Sequence, residues 1–270
     1  MEHYSVMQVH PGHPIITPEA EVRSPYGLDI IESCLTCKMR EDYLFCNLSA
    51  PSTKALETIK STAAYPKGAL LFVEGQSPRG VFVLCHGRAK LSTSSADGKT
   101  IILKIAEPGE ILGLSATVSG KAYEVTAELM EPSQANFITR QDFLNFLRDH
   151  GDASLRVAEQ LSQNYHSAYE EIRSLGLSHS ASEKLAKLLL EWAHDGKTKG
   201  KDSKGKDGKE KGDVRLTVTL THEEIAQLIG TSRETVTRAL ADLKRKQLVQ
   251  VKGSTVVLRN KAALEKLAGS

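Results

Sequence analysis

The chain has 270 residues and a net charge of +2, with 40% hydrophobic and 25% charged residues, the balance of a soluble globular protein of about two domains. No apolar run approaches the ~20 residues that a membrane-spanning helix needs, and a near-neutral total means that any nucleic-acid-binding surface must be a local basic patch. Met1-Glu-His-Tyr-Ser5 lacks a charged segment leading into an apolar one, which predicts a cytoplasmic chain.

Residues 1 to about 33 contain His10, Pro11, His13, Pro14 and Pro18 with little apolar periodicity, the pattern of a loosely ordered tail. Cys34, Cys37 and Cys46 follow as C-x2-C-x8-C, three of the four cysteines within thirteen residues. In a reducing compartment that grouping points to metal or redox chemistry rather than structural disulfides. Zinc and iron–sulfur clusters usually take four ligands, so this set is one short. Asn47 to Ser49, with Leu56 and Ile59, reads as the start of a short helix.

From Ala63 to about Ile138 the pattern becomes short strands between turns. Leu70–Val73, Gly80–Gly87, Arg88–Leu91, Thr100–Ile105, Glu110–Gly113, Val125–Leu129 and Gln134–Ile138 are the expected strands, with Asp97-Gly98 as a hairpin signal. Turn signals every 8–12 residues are those of a sandwich or barrel, although strand order does not follow from them.

Asp142 to about Leu177 is expected to be helical, interrupted at Asp149-His-Gly-Asp152. Ala158, Leu161, Tyr165, Ala168, Ile172 and Leu175 then recur at spacings of three and four among polar neighbours. A period near 3.5 is that of a coiled-coil seam, and these six residues are the expected dimer interface. Leu175-Gly176 reads as a hinge. Ser182 to His194 is a further helix with Leu185, Leu188, Leu189 and Trp192 on its apolar face. The Lys- and Gly-rich run over 196–213, with no hydrophobic side chain, is expected to be a disordered insertion.

Arg215 to Leu220 reads as a strand leading into two short helices joined by a tight turn. Thr221 can cap the first helix with Glu224 three residues on, a capping box. Ile225, Leu228 and Ile229 form its apolar face, and Gly230 suits the left-handed residue that ends a helix. Ser232 can cap the second helix, whose buried face is Val236, Leu240 and Leu243. Arg233, Glu234, Thr237 and Arg238 then face outward near its N-terminus, where a helix entering the major groove presents polar groups to base edges. Leu248–Val251, Lys252-Gly253 and Ser254–Leu258 form a hairpin, and Ala262–Leu267 a closing helix. A helix-turn-helix followed by a hairpin is a winged helix. The candidate DNA-contacting residues are Thr221, Ser232, Arg233, Glu234, Thr237, Arg238 and Lys252.

Gly80-Val-Phe-Val-Leu-Cys-His-Gly87, Pro108-Gly-Glu-Ile-Leu-Gly113 and Thr231-Ser-Arg-Glu-Thr-Val-Thr-Arg238 fall at positions that resemble the CRP/FNR family of bacterial transcription regulators, over about residues 45–270. The resemblance implies an α+β architecture: a cyclic-nucleotide-binding-like β jelly roll, a long dimerisation helix and a C-terminal winged helix-turn-helix. The expected division is 1–47, tail and cysteine segment; 48–148, sensor barrel; 149–178, dimerisation helix; and 179–270, DNA-binding domain. It also implies a homodimer acting on double-stranded DNA with RNA polymerase as a partner. Arg233, Glu234 and Arg238 match the reading residues of the cAMP receptor protein branch, where each Arg would bond guanine and the Glu would accept from cytosine. A TGTGA-like palindrome is the expected site.

In that branch an acidic residue holds the ribose and an Arg-Ser pair holds the cyclic phosphate. The corresponding stretches here are Gly113-Leu-Ser115 and Tyr123-Glu124, without an Arg and with a carboxylate that would repel a phosphate. Cyclic AMP is therefore not the expected ligand. The cysteines resemble those of the FNR branch, which carries a [4Fe-4S] cluster. That branch takes its fourth Cys from the last barrel strand, where this chain has about Asn136. Cys85, on another strand, is the one thiol left to complete Cys34, Cys37 and Cys46; a cluster, another metal, thiol redox switching and an ordinary buried Cys85 all remain open. The barrel strands carry no H-x-H cluster and the chain no placeable Ser–His–Asp set, so an enzyme is not expected; a DNA-binding protein with a degenerate sensor is the remaining alternative.

Overall fold

The computed structural model describes residues 25–177, 180–194, 214–217, 220–253 and 255–269. The tail before residue 25 and the Lys/Gly-rich run at 196–213 lie outside them. Two short 3-10 turns, Pro25–Gly27 and Arg40–Asp42, precede helix α1 (Ala50–Ile59). Strands β1 (Ser61–Tyr65), β2 (Leu70–Phe72), β3 (Gly80–His86), β4 (Ala89–Ser94), β5 (Thr100–Ala106) and β6 (Ile111–Leu112) follow. Helix α2 (Leu114–Ser119) and strands β7 (Thr126–Leu129) and β8 (Ser133–Thr139) complete the sandwich.

The sandwich has two antiparallel sheets, ordered β1-β8-β3-β6 and β2-β7-β4-β5. Strand β3 is buried on both faces, which explains its unbroken apolar run: Phe82 and Leu84 pack in the core with Phe72, Leu112 and Leu129, while Val81 and Val83 pack with Phe143 and Phe146 under the helices. Gly80 is needed where β3 meets β8, because a Cβ there would lie 2.0 Å from the Ile138 carbonyl oxygen. The edge strand β6 is covered rather than left open. Buried Gln160 donates to the Ile111 carbonyl (2.8 Å) and accepts from its N–H (3.0 Å), satisfying both backbone groups that an edge leaves unpaired.

Helices α3 (Arg140–Asp149) and α4 (Gly151–Leu177) follow the sandwich and break at His150, as the sequence predicts. Ala153 and Val157 of α4 are buried against the barrel, and Leu161 packs on the same cluster. Leu161 is half-buried, on the side of the helix that faces the sandwich. Ala158, Tyr165, Ala168 and Ile172 are exposed, and Leu155 and Tyr169 join them on that outer face. The side chain of Leu175 lies outside the described residues. Helix α4 runs through the expected hinge at Leu175-Gly176 and ends at Leu177.

Helix α5 (Ala181–His194), strand β9 (Val214–Thr217), helices α6 (His222–Leu228) and α7 (Arg233–Arg245), strands β10 (Val249–Lys252) and β11 (Thr255–Leu258) and helix α8 (Lys261–Leu267) form the C-terminal domain. Its core joins Leu185 and Leu189 of α5 to Ile225, Val236, Leu243 and Leu264. The predicted hairpin is part of a larger sheet, β10-β11-β9, because β9 pairs antiparallel with β11.

Two further expectations change. The tail is anchored before residue 33: Leu28 is buried, and Gln134 clasps Ile31 by accepting its N–H (2.8 Å) and donating to its carbonyl (2.7 Å). Helix α2 was not expected; it starts at Gly113 in the left-handed region (φ 78°) and buries Leu114, Ala116 and Thr117. Among the described residues no helix is long and apolar enough to cross a membrane.

Candidate nucleic-acid interface and cysteine site

The two helices of the turn motif are built by their caps. The Thr221 hydroxyl accepts from the Glu224 N–H (3.1 Å), and the Glu224 carboxylate accepts from the Thr221 N–H (2.8 Å), so the capping box is formed. Gly230 takes a left-handed φ of 65°, and the Thr231 N–H closes the turn on the Ala226 carbonyl (2.9 Å). Ser232 caps α7 by accepting from the Thr235 N–H (3.3 Å). Each such cap contributes about 1 kcal/mol to its helix.

Val236, Ala239, Leu240 and Leu243 are the buried stripe of α7. That stripe fixes the helix's rotation, and Arg233, Glu234, Thr237 and Arg238 are consequently exposed on its other side, together with Thr221 and Ser232. Bonds to its own backbone N–H and to Ser232, helped by Arg233 and Arg238, hold the Glu234 carboxyl below its ordinary range and keep it an acceptor. The Arg238 guanidinium makes one weak bond, to the Thr235 hydroxyl at 3.3 Å, so the rest of its fork faces solvent. Thr237 is more constrained: its hydroxyl bonds the Arg233 carbonyl (3.0 Å) and lies 3.1 Å from Nδ1 of His222. His222 is thus a neighbour of the exposed face that sequence reasoning missed; its place directly after the cap was the available signal. Lys252 is exposed at the tip of the β10–β11 hairpin, beside Gly253 at φ 57°.

Inside the barrel, Tyr123 is 3% exposed and stacks on Phe72 with ring centroids 4.1 Å apart. Its hydroxyl donates to the Gly80 carbonyl (2.7 Å). A Cβ at Gly113 would lie 2.7 Å from the Tyr123 ring, so that glycine makes room for it. Glu124 accepts from the Ser115 hydroxyl (2.9 Å), which joins the two stretches expected to face a cyclic nucleotide.

The fold brings Cys85 of β3 to the N-terminal cysteines. The ionisation of Cys46 feels Cys85, Cys34 and Cys37, and that of Cys85 feels Cys34 and Cys37. Burial is the first cause of a higher pKa at three of them: Cys34 is pushed up to about 11, Cys85 to about 12, and Cys46 further in the same direction. Asn136, on β8, touches two of them. Its side-chain amide donates to the Cys34 sulfur at 3.7 Å, and its backbone bonds Cys85. A cleft between Ile30–Ser33 and Thr36–Lys38 opens beside Cys37.

Four thiols are the donor set of a structural zinc site or an iron–sulfur cluster, so the residues fit such a group in chemistry and number, with the Glu57 carboxylate beside Cys34 accepting its N–H (2.8 Å). Among the described residues no three His, Cys, Asp or Glu side chains already converge on one metal position. A bound centre therefore requires the Cys34–Cys46 segment to close on Cys85.

A two-sheet sandwich, a long helix with an exposed apolar face and a winged helix-turn-helix define a DNA-binding regulator with a sensor-like domain. Residues 62–150 match the cyclic nucleotide-binding domain model and residues 183–267 the Crp-like helix-turn-helix model. The chain is 31% identical over 202 residues to the transcriptional regulator LdrP of Thermus thermophilus, covering 74% of this chain and 93% of LdrP. It is 26% identical over 219 residues to a CRP-like cAMP-activated global transcriptional regulator of Mycobacterium tuberculosis, covering 81% of this chain and 91% of that one. The crystal structure of a CRP-family transcriptional regulator from Thermus thermophilus superposes with a TM-score of 0.61 at 26% identity, covering 77% of this chain and 97% of that one. The chain belongs to the CRP/FNR family of transcription regulators.

Proposed function

We propose that the protein is a dimeric regulator that reads TGTGA-like palindromes through Arg233, Glu234 and Arg238, and that a metal or iron–sulfur centre on Cys34, Cys37, Cys46 and Cys85 sets its DNA affinity in response to oxygen or redox state. The observation that carries this reading is that Asn136 bonds both Cys34, through its side-chain amide, and Cys85, through its backbone, although the two thiols are 51 residues apart in sequence.

Two bidentate Arg donors and an ionised carboxylate on one exposed helix face match guanine and cytosine edges in the major groove. Dimerisation is supported by the outer face of α4, where Tyr165 is 67%, Tyr169 58% and Ile172 69% exposed. A run of large apolar side chains left in water favours association with a second copy. A two-fold axis along α4 would present two α7 helices to the two halves of a palindrome. RNA polymerase is the partner that the family resemblance suggests.

Metal chemistry is favoured over a simple thiol switch. Burial keeps Cys34, Cys46 and Cys85 neutral, which leaves little thiolate for disulfide exchange. A bound cation would supply the charge that stabilises the thiolates, and in an iron–sulfur cluster the chemistry supplied is reversible sensitivity to oxidation. The site has a short mechanical path to α4. Phe45, next to Cys46, is fully buried against Phe143. The Ser49 N–H and the Ser52 hydroxyl donate to the Asp152 carboxylate at 2.9 and 2.6 Å, and Arg156 donates to the Asn47 carbonyl at 3.4 Å. A closure of the cysteine segment would thus act on the first turns of the helix that carries the apolar face. Cyclic AMP is not proposed as the effector, because Tyr123 fills the space beside Gly113 and Glu124 adds a carboxylate there.

The test is purification without oxygen, an absorbance spectrum and a binding titration on a TGTGA palindrome before and after air. Charge-transfer absorption lost in air together with a change in affinity is the expected result. Colourless, metal-free protein whose DNA binding is unchanged by air and by Cys37→Ser would refute the sensing role and leave the DNA reading standing.

A further inference from the structure

The exposed face of the reading helix carries one hydroxyl that is already engaged. Thr237 lies one turn beyond Arg233 and next to Arg238, exposed on α7. Its hydroxyl donates to the Arg233 carbonyl (3.0 Å), the back-bond that a Thr can make to the residue four before it in a helix. That bond takes the only proton the hydroxyl has. Nδ1 of His222, at the start of α6, stands 3.1 Å from the same oxygen. With the hydroxyl proton spent on Arg233, Nδ1 carries the proton of this second bond and donates it. The hydroxyl is thus held from both helices of the turn motif, and swinging it towards a base edge would break both bonds.

The Thr Cβ bears two heavy groups, the hydroxyl and the Cγ2 methyl. With the hydroxyl turned to the Arg233 backbone and to His222, the methyl is the group that Thr237 has left to present. A methyl reads no donor or acceptor. Its partner in the major groove is the C5 methyl of thymine, the apolar group among the base edges there. A TGTGA half-site offers thymines on both strands.

We infer that Thr237 reads a thymine of the half-site by methyl-to-methyl contact, its hydroxyl kept from the bases by His222 and the Arg233 carbonyl. The inference rests on the DNA reading proposed above. It adds an apolar contact to the polar ones of Arg233, Glu234 and Arg238, and it gives the specific atom by which Thr237 tells one base from another. A Thr237 that only tied α6 to α7 would need its hydroxyl and have no use for a thymine methyl.

The experiment titrates the full chain by fluorescence anisotropy, at one fixed salt concentration, on TGTGA palindromes. In each duplex one pair of symmetry-related thymines is replaced by deoxyuridine, which removes the C5 methyl and keeps the base pairing. At one thymine position the wild type should lose about three- to fivefold in affinity per half-site, the value of about one buried methyl, and about tenfold or more across the palindrome. Thr237→Val, which keeps a methyl and loses the hydroxyl, should retain that discrimination. Thr237→Ser, which keeps the hydroxyl and loses the methyl, should bind the thymine and deoxyuridine duplexes equally at that position. Circular dichroism reports whether each variant is folded, and Thr237→Ser against the wild type decides the matter if Thr237→Val is not. Discrimination lost in folded Thr237→Val but kept in Thr237→Ser would mean that the hydroxyl does the reading and overturns the inference. So does a wild type indifferent to every deoxyuridine while still preferring the palindrome to a scrambled duplex, a result that leaves the half-site reading intact. No preference for the palindrome overturns that reading and this inference with it.

Discussion

Replacing Arg238 by Ala tests the reading head most directly. The side chain is exposed, and among the described residues its one side-chain bond is to Thr235 at 3.3 Å. Its loss should therefore change folding stability by less than about 0.5 kcal/mol. A bidentate contact to guanine contributes about 1–3 kcal/mol of discrimination per half-site. A dimer loses two such contacts, so binding to the palindrome should weaken by about 2–6 kcal/mol, or roughly 30-fold to more than 10,000-fold. Fluorescence anisotropy at one fixed salt concentration, on the TGTGA palindrome and on a scrambled duplex, measures the two effects separately. The expected loss is large on the palindrome and small on the scrambled duplex, with the salt dependence nearly unchanged. Equal losses on both, with the salt slope reduced by about one for each Arg removed, would mean that Arg238 touches phosphate only and would refute base reading.

Thr221→Ala removes the capping box of α6, and should cost about 1 kcal/mol and lower the melting temperature of the C-terminal domain by a few degrees in calorimetry. Tyr123→Ala removes a buried ring stacked on Phe72, and should destabilise the barrel by about 3–5 kcal/mol in urea unfolding; isothermal titration of the wild type with cyclic AMP should give no saturable heat. Asp152→Asn weakens the tie between α1 and α4, and should cost about 1 kcal/mol while blunting any effect of air on DNA affinity. The Ser52 hydroxyl first, and then Ser49, hold that carboxyl well below its usual 3.8. Its contribution is therefore fully present above about pH 4 and lost as the pH falls below that, a dependence that acid unfolding of the Asn variant should lack.

The DNA-reading half was largely legible because its signals are local. A cap, an acid three residues later, a glycine and a second cap define two helices within about twenty residues. The apolar stripe Val236, Leu240 and Leu243 then fixes which side chains face outward. Strand positions were legible for the same reason, through turn residues between short apolar runs. Less legible were questions that depend on a neighbour. Periodicity shows that the α4 face is apolar but not what covers it; Leu161 is half-buried on the barrel, and the exposed face runs through Leu155, Tyr165, Tyr169 and Ile172. One glycine costs a helix only about 1 kcal/mol, and α4 passes Gly176 before it ends at Leu177.

The sequence by itself determined the winged helix-turn-helix, the outward Arg233, Glu234 and Arg238, and the presence of three closely spaced thiols with a fourth elsewhere, all of which rest on spacing along the chain. Only the tertiary structure decided what Cys85 meets. Strand β3 lies beside β8 in the sheet, and that pairing brings Cys85 to Asn136 and both to the N-terminal segment. It also decided that Lys60 is buried, its ammonium held by Glu57, the Glu32 carbonyl and the Thr62 hydroxyl. Local pattern specifies elements; which groups meet across them is set by the sheet register and the core, where contacts join residues far apart in sequence.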